Sequence, residues 1–375
     1  LDEAQTPLSL RWEHRPHWPA LRKEYGGSET TAAIILSLVT ADGAVSYSRN
    51  RNHYVRPRRY KESLYTYAKV TGSADYLDGL GLVHHDKVPP NHRRWQSSMV
   101  ATPELIERTG KILSAGPALL IARPRESIIL RDADKEPIDY SDTPTIRRMR
   151  RRVEEMNEAI RGTLLTGVLP SPMVRIFNRT FNRGGRYYAL GGGWQSMSKE
   201  ARKLITIGGE SVVEIDYKTL HPALLYAEAG AALPEDCYAI AGWPRPLAKL
   251  GLLVLVNAPT KAKARLAIAH HKEMAPVAEP GSQLAFAAAD QLITDVKQAH
   301  HRIAKYFHSD KGAELMCLDS AIAETVMHLM LMAGVTVLPV HDSFLVQASK
   351  AELLEEAMQR AAYETGIEAL QVTFG

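Results

Sequence analysis

The chain has 375 residues, 45% of them hydrophobic and 23% charged, with a formal net charge of +4. That length can bury a sizeable core in two or three domains, and the charge is too small for a general polycationic coat. Two cysteines, Cys237 and Cys317, speak against a disulfide framework and a cysteine-rich zinc site and set a reducing, cytoplasmic environment as the expectation. The N-terminus lacks the basic-then-apolar pattern of a signal peptide. The most apolar run, 250–258, is too short to cross a bilayer, so no membrane partner is expected.

Residues 1–26 read as an N-terminal extension. The apolar run 29–39 predicts a helix, stopped by Asp42-Gly43. The window 47–61 then holds six Lys/Arg, among them Arg56, Arg58 and Arg59, with three tyrosines and no acid. Cations interleaved with aromatics can hold phosphates and stack on bases; a solvated loop has the same composition. Pro57 bars a single helix through the window. Helices are expected near 60–69 and 73–80. Gly81-Leu82-Val83, a basic turn over 87–94 that contains Arg93 and Arg94, and a return strand over 97–101 follow. This order resembles a winged helix-turn-helix domain over 27–110. The resemblance implies a helix that enters a groove and a wing tip on the backbone; a small protein-binding domain would show the same pattern.

Residues 111–175 read as a basic connecting, thumb-like region. Pro144 opens a helix in which Ile146, Met149, Val153 and Met156 recur at spacings of three and four. Five arginines lie within 147–152. Arg147, Arg148 and Arg151 are the candidates for contacts along a nucleic-acid backbone. Pairs such as Arg150–Glu154 and Arg151–Glu155 would make the same helix a solvated one.

From 176 onward four features follow in order. The first is Phe181-Asn182-Arg183-Gly184-Gly185-Arg186-Tyr187-Tyr188, in which glycines permit close backbone approach and Arg183 and Arg186 offer fork-shaped phosphate donors. The second is a strand over 211–216 ending in Asp216, with Thr219 placed to cap a helix over 220–229. The Tyr217 carbonyl is a candidate magnesium ligand at this strand-to-helix junction. The third is Arg245-xxx-Lys249, two cations on one helical face and suited to the phosphates of a nucleoside triphosphate. The fourth runs from Leu318-Asp319-Ser320 through a methionine-rich helix over 321–332 to a hairpin that lifts His341-Asp342 to its tip, closed by a helix over 350–366. If the strands ending in Asp216 and at Asp342 pair, two carboxylates meet at one sheet edge and repel unless a cation lies between them. Taken singly, each is equally a turn or capping aspartate.

The half from about 175 to 375 resembles the single-subunit, phage and mitochondrial type of RNA polymerase, which is related to the bacterial DNA polymerase I group. The residues that carry the likeness are Arg-Gly-Gly-Arg-Tyr-Tyr, Glu-Ile-Asp-Tyr-Lys-Thr-Leu-His-Pro, Arg245-xxx-Lys249, Leu-Asp-Ser and Val-His-Asp-Ser-Phe. The resemblance implies an α+β fold: a right-hand polymerase palm over 176–375 with short fingers at about 230–310, behind the winged-helix-like domain. It implies two magnesium ions, with manganese as the other candidate, on Asp216, Asp342 and the Tyr217 carbonyl. Lys249 would contact the triphosphate and protonate pyrophosphate, Arg245 would hold its outer phosphates, Arg183 and Arg186 would touch template or primer, and His341 would position the primer end. Three positions depart from the pattern: Asn257-Ala258 replaces a tyrosine-glycine pair, Met316 a histidine, and His221 a glutamate that gates the sugar. Asn257 and His221 thus stand where the nucleotide is sensed. The implied function is template-directed nucleotide polymerisation from nucleoside triphosphates on a DNA template. A compact RNA polymerase or primase of a phage or mobile element stands first, a polymerase I type DNA polymerase second, and a non-catalytic replication initiator third. The nascent strand and replication proteins complete the expected partners.

Overall fold

The computed structural model describes residues 6–90, 92, 96–367 and 370–374. The chain is α+β and divides into two compact units. The first runs to Ile129 and adds Glu136–Val174 and Tyr188–Met197; the second takes Leu130–Lys135, Arg175–Tyr187 and the chain from Ser198. Arg93 and Arg94 lie outside the described residues.

In the first unit the helix Glu29–Val39 starts at a capping box in which Ser28 and Thr31 satisfy each other's backbone donors. Its Ile34, Ile35 and Leu36 are fully buried against Val70 and Leu77 of the helix Tyr67–Gly79 and Leu105 of the helix Pro103–Ala115. A small sheet closes this core in the order Thr6–Pro7, Val45–Tyr47, Ser97–Ala101, Val83–Asp86, with Val45 opposite Met99 and Val83 opposite Ala101. The two helices expected near 60–69 and 73–80 are instead one, Tyr67–Gly79. Val70, Ala74 and Leu77 keep one buried stripe running past the exposed Gly72, so the glycine does not break it. Two 3-10 turns, Arg51–Tyr54 and Arg58–Tyr60, fill the basic window around Pro57.

The arginine helix Pro144–Gly162 is capped by the Thr143 side chain and buries Ile146, Val153, Met156 and Ile160. Arg150 does not pair with Glu154. It turns back to the buried Glu126, Nε at 2.9 Å from Oε1 and the other arm at 3.0 Å from Oε2, and to Asp142 at 2.9 Å. Arg151 does lie 3.8 Å from Glu155.

The sheet of the second unit is antiparallel. Its strands lie in the order Leu338–Val340, Ser343–Gln347, Glu210–Tyr217, Thr206–Ile207, and Val372–Phe374 pairs the far end of Glu210–Tyr217. The helices Gly312–Met332 and Ala351–Tyr363 pack together, and the latter lies against Glu210–Tyr217. Arg245–Asn257, Lys261–Ala269 and Gln283–Ala299 pack on one another as a helical layer. The helix expected over 321–332 begins nine residues earlier, so Asp319 lies inside it. At 21 residues, Gly312–Met332 is long and apolar enough to cross a bilayer by length and composition, unlike the 250–258 run. Here it buries Leu315, Ile322, Val326 and Met330 in the protein core.

Candidate active site

Side chains alternate along Glu210–Tyr217: Ile215 and Tyr217 are buried, while Glu214 and Asp216 share the opposite face. The register sets Asp216 directly across from Ser343, and the Tyr217 N–H donates to the Asp342 carbonyl at 3.4 Å. Asp216 and Asp342 are therefore neighbours at one sheet edge. His341 and Asp342 form the two-residue loop between strands that pair Val340 with Ser343. His341 sits at φ +64°, a left-handed conformation that costs a non-glycine residue about 1–2 kcal/mol. Burial, followed by Arg186, lowers its pKa.

Asp216 Oδ1 is buried and has no hydrogen-bond partner. Burial first, then the charges of Asp342 and Glu214, push its pKa up to about 7, against the opposing pull of Lys249 and Lys199. Such an orphaned carboxylate oxygen beside a second carboxylate calls for a cation. Among the described residues no group of three or more His, Cys, Asp or Glu side chains forms a metal cage. The carboxylate oxygens of Asp216 and Asp342 suit a hard ion such as magnesium that retains waters.

Glu214 is braced. Arg202 grips it with Nε and a terminal nitrogen at 2.9 Å each, and Ser343 Oγ donates to it at 2.7 Å. One carboxylate thus ties Ser343, next to Asp342, to the strand that carries Asp216. Sequence reading missed this brace, although the two-residue spacing of Glu214 and Asp216 on one strand face was visible.

A cleft of about 420 Å³ opens beside the carboxylates, and Arg186, His221, Tyr238, Lys249, Asn257 and Met316 contribute to its lining. Thr219 does not cap the helix Leu220–Glu228 with its side chain. It is left-handed at φ +62° and turns its hydroxyl to the Lys218 carbonyl. This turn carries His221 to the cleft, where its Nε2 lies 2.7 Å from Oδ2 of Asp319. Asp319 is 2% exposed. Arg186 grips the same carboxylate through Nε, at 3.0 and 3.2 Å, and a terminal nitrogen. When Nε2–H is donated to Asp319, Nδ1 is the remaining hydrogen-bonding atom of the His221 ring.

The expectation that Arg183 and Arg186 offer free forks to a nucleic acid meets internal ion pairs: Arg183 holds Asp310 and Glu314, Arg186 holds Asp319. Lys249 is exposed. Arg245 is exposed and paired with Asp236. Asn257 folds its amide onto the Leu253 carbonyl at 2.8 Å and lies so close to Gly312 that no Cβ fits there. The Tyr217 ring is buried, with its hydroxyl on the Met358 carbonyl at 2.6 Å.

In the first unit Arg56, Arg58, Arg147, Arg148 and Arg151 are exposed. Arg59 is not a free cation: it bridges Glu126, Asp139 and Asp142 and stacks over Tyr140. Lys87, at the base of the hairpin tip, pairs with Asp75 and Asp78.

No family model matches the sequence, and no curated protein matches it. Among solved structures the chain is similar to the POL domain of Pol1 from M. smegmatis in complex with DNA primer-template and dNTP, with a TM-score of 0.37 at 12% identity. The match covers 62% of this chain and 51% of that one, about half its length.

Proposed function

We propose that the second unit is a template-directed nucleotidyltransferase with a polymerase palm and short fingers, and that it makes RNA or short RNA primers on a DNA template. The observation that carries this is the convergence of Asp216 and Asp342 at one sheet edge, with an orphaned oxygen on Asp216, beside a cleft that also holds Lys249. In the reaction the 3′-hydroxyl oxygen of the growing strand attacks the α-phosphorus of a nucleoside triphosphate. The bond to the bridging oxygen breaks, and pyrophosphate leaves. Two magnesium ions, or manganese, held by Asp216, Asp342 and the Tyr217 carbonyl would supply the acidity and charge compensation this displacement needs. Lys249 reaches into the cleft as the donor of a proton to the departing pyrophosphate, and Arg245, four residues earlier on the same helical face, meets the outer phosphates. His341 packs beside Asp342 and positions the primer end.

The choice of ribonucleotides rests on His221. Its Nδ1 can hydrogen-bond a ribose 2′-hydroxyl, which serves as donor or acceptor and which a deoxyribose lacks. In the first unit, the succession of helix, strand, helix and hairpin supports a winged-helix-like reading. Arg56, Arg58, Arg147, Arg148 and Arg151 supply exposed cations for phosphate contacts.

Extension of primed and unprimed single-stranded DNA, with NTPs and dNTPs in parallel and magnesium present, tests the reading. The account expects NTP incorporation that is lost in Asp342→Asn. Preference for dNTPs would move the chain to DNA synthesis. Binding of DNA without incorporation by the wild type would leave an initiator without catalysis.

A further inference from the structure

One cluster in the second unit borders the cleft through Tyr238 and adds a carboxylate, Asp236, to the Arg245 and Lys249 pair invoked above. Asp236 accepts from Arg245 Nε at 3.0 Å and from a terminal nitrogen at 3.2 Å. Its Oδ1 also accepts the Tyr238 N–H at 2.9 Å, and the Arg245 contact holds its pKa below the usual carboxylate range. The Tyr238 ring, 8% exposed, lines the cleft. The Arg245 guanidinium lies 5.1 Å from the centre of that ring and Lys249 Nζ 5.6 Å. Behind the loop, the buried His300 joins the Cys237 carbonyl at 2.9 Å and the Tyr226 hydroxyl at 2.9 Å. Both nitrogens of His300 are thereby used, and the 236–238 segment is pinned to the helices Gln283–Ala299 and Leu220–Glu228.

Arg245 is thus held between two partners of different strength. Asp236 neutralises its charge through a planar two-bond contact, and Tyr238 supports it by cation–π attraction, which survives exchange of the anion. A polyphosphate that enters the cleft must compete with Asp236 for the same fork. A group with more negative charge displaces a carboxylate more readily, so the contact discriminates by charge.

We infer that Asp236 is a latch that withholds Arg245 from weakly charged ligands and yields it to a triphosphate, and that Tyr238 is the positioning residue that keeps Arg245 and Lys249 poised during the exchange. The inference rests on the proposed role of Arg245 in nucleotide binding.

The test is calorimetric titration of the full chain with inorganic tripolyphosphate and, in parallel, pyrophosphate, which requires no polymerase activity. Asp236→Asn is expected to bind tripolyphosphate roughly threefold to fivefold more tightly than wild type and pyrophosphate more tightly still, so the discrimination between the two narrows. Arg245→Gln is expected to lose the preference altogether. Tyr238→Phe keeps the ring and wild-type binding, whereas Tyr238→Ala weakens both ligands. Unchanged or weaker tripolyphosphate binding in Asp236→Asn, in a protein that still incorporates nucleotides, overturns the latch and leaves the polymerase reading intact. Tighter binding in a protein that never incorporates nucleotides upholds the latch as an anion gate and removes the polymerase reading instead.

Discussion

Asp216 is a residue whose native environment works against its own charge. It is half-buried, one oxygen has no partner, and Asp342 and Glu214 repel it, so its pKa rises to about 7. A carboxyl whose pKa is raised on folding contributes stability that is fully present below the unfolded value and disappears as pH climbs through the folded one. The metal-free protein should therefore lose stability between about pH 4 and pH 7. Asp216→Asn should abolish incorporation and yet raise the melting temperature in EDTA at pH 8, with little gain at pH 4; thermal melts at the two pH values read this directly, and equal melting temperatures at pH 8 would contradict it. Glu126 has the opposite sign. Burial opposes its ionisation, but Arg150, the Ile128 N–H and Arg59 outweigh burial and lower its pKa. Its contribution is present above the unfolded carboxylate range and is lost as pH falls below it. Glu126→Gln leaves Arg59 and Arg150 short of a charge partner at a site only 5% exposed and should cost about 3 kcal/mol in urea denaturation at pH 7, an effect that shrinks toward pH 3. Asp216 and Asp342 were legible in the sequence because each follows a hydrophobic run at a turn. The Asp319 network was not: His221 and Arg186 lie 98 and 133 positions from Asp319, and no local pattern announces such a meeting.

At the scale of elements, an apolar run, a proline start with helical periodicity and a strand–turn–strand pattern located Glu29–Val39, Pro144–Gly162 and the 338–347 hairpin, because each is set by neighbours in sequence. Tyr67–Gly79 merged two expected helices because tertiary burial of Val70 and Leu77 outweighs the local weakness of Gly72. The basic window and the arginine helix show the main limit of composition as a guide. Their cations look alike in sequence, yet Arg59 and Arg150 are anchors around Glu126 whereas Arg147, Arg148 and Arg151 stay exposed. If that exposed edge follows a nucleic-acid backbone, replacing the three with glutamine should weaken binding across sequences and reduce the slope of log K against log salt by about two to three; fluorescence anisotropy with an unrelated set of duplexes checks it, and an unaltered slope would return the helix to a solvated role. In the hairpin, His341→Asn suits the left-handed backbone at that position. It should keep the melting temperature within a few degrees while reducing incorporation on a primed template. Full activity in that variant would free His341 from the role of placing the primer end.

At the scale of the whole molecule, the proposed function assigns the two units separable tasks. Asp342→Asn should lose incorporation and keep nucleic-acid binding, while the triple arginine variant should weaken binding and keep the folded carboxylate edge. The α+β organisation matches what the resemblance of the 175–375 half implies. The brace that ties the edge, Arg202–Glu214–Ser343, and the Arg186–Asp319–His221 network in the cleft join distant segments and emerge only in three dimensions. All of the proposed chemistry depends on Asp216 and Asp342 sharing divalent ions. The most direct test is anomalous diffraction from crystals soaked with manganese and a non-hydrolysable nucleoside triphosphate. The account predicts two manganese peaks about 3.5–4 Å apart, each within bonding distance of one or both carboxylates. Nucleotide in the cleft with no manganese at either aspartate would contradict it.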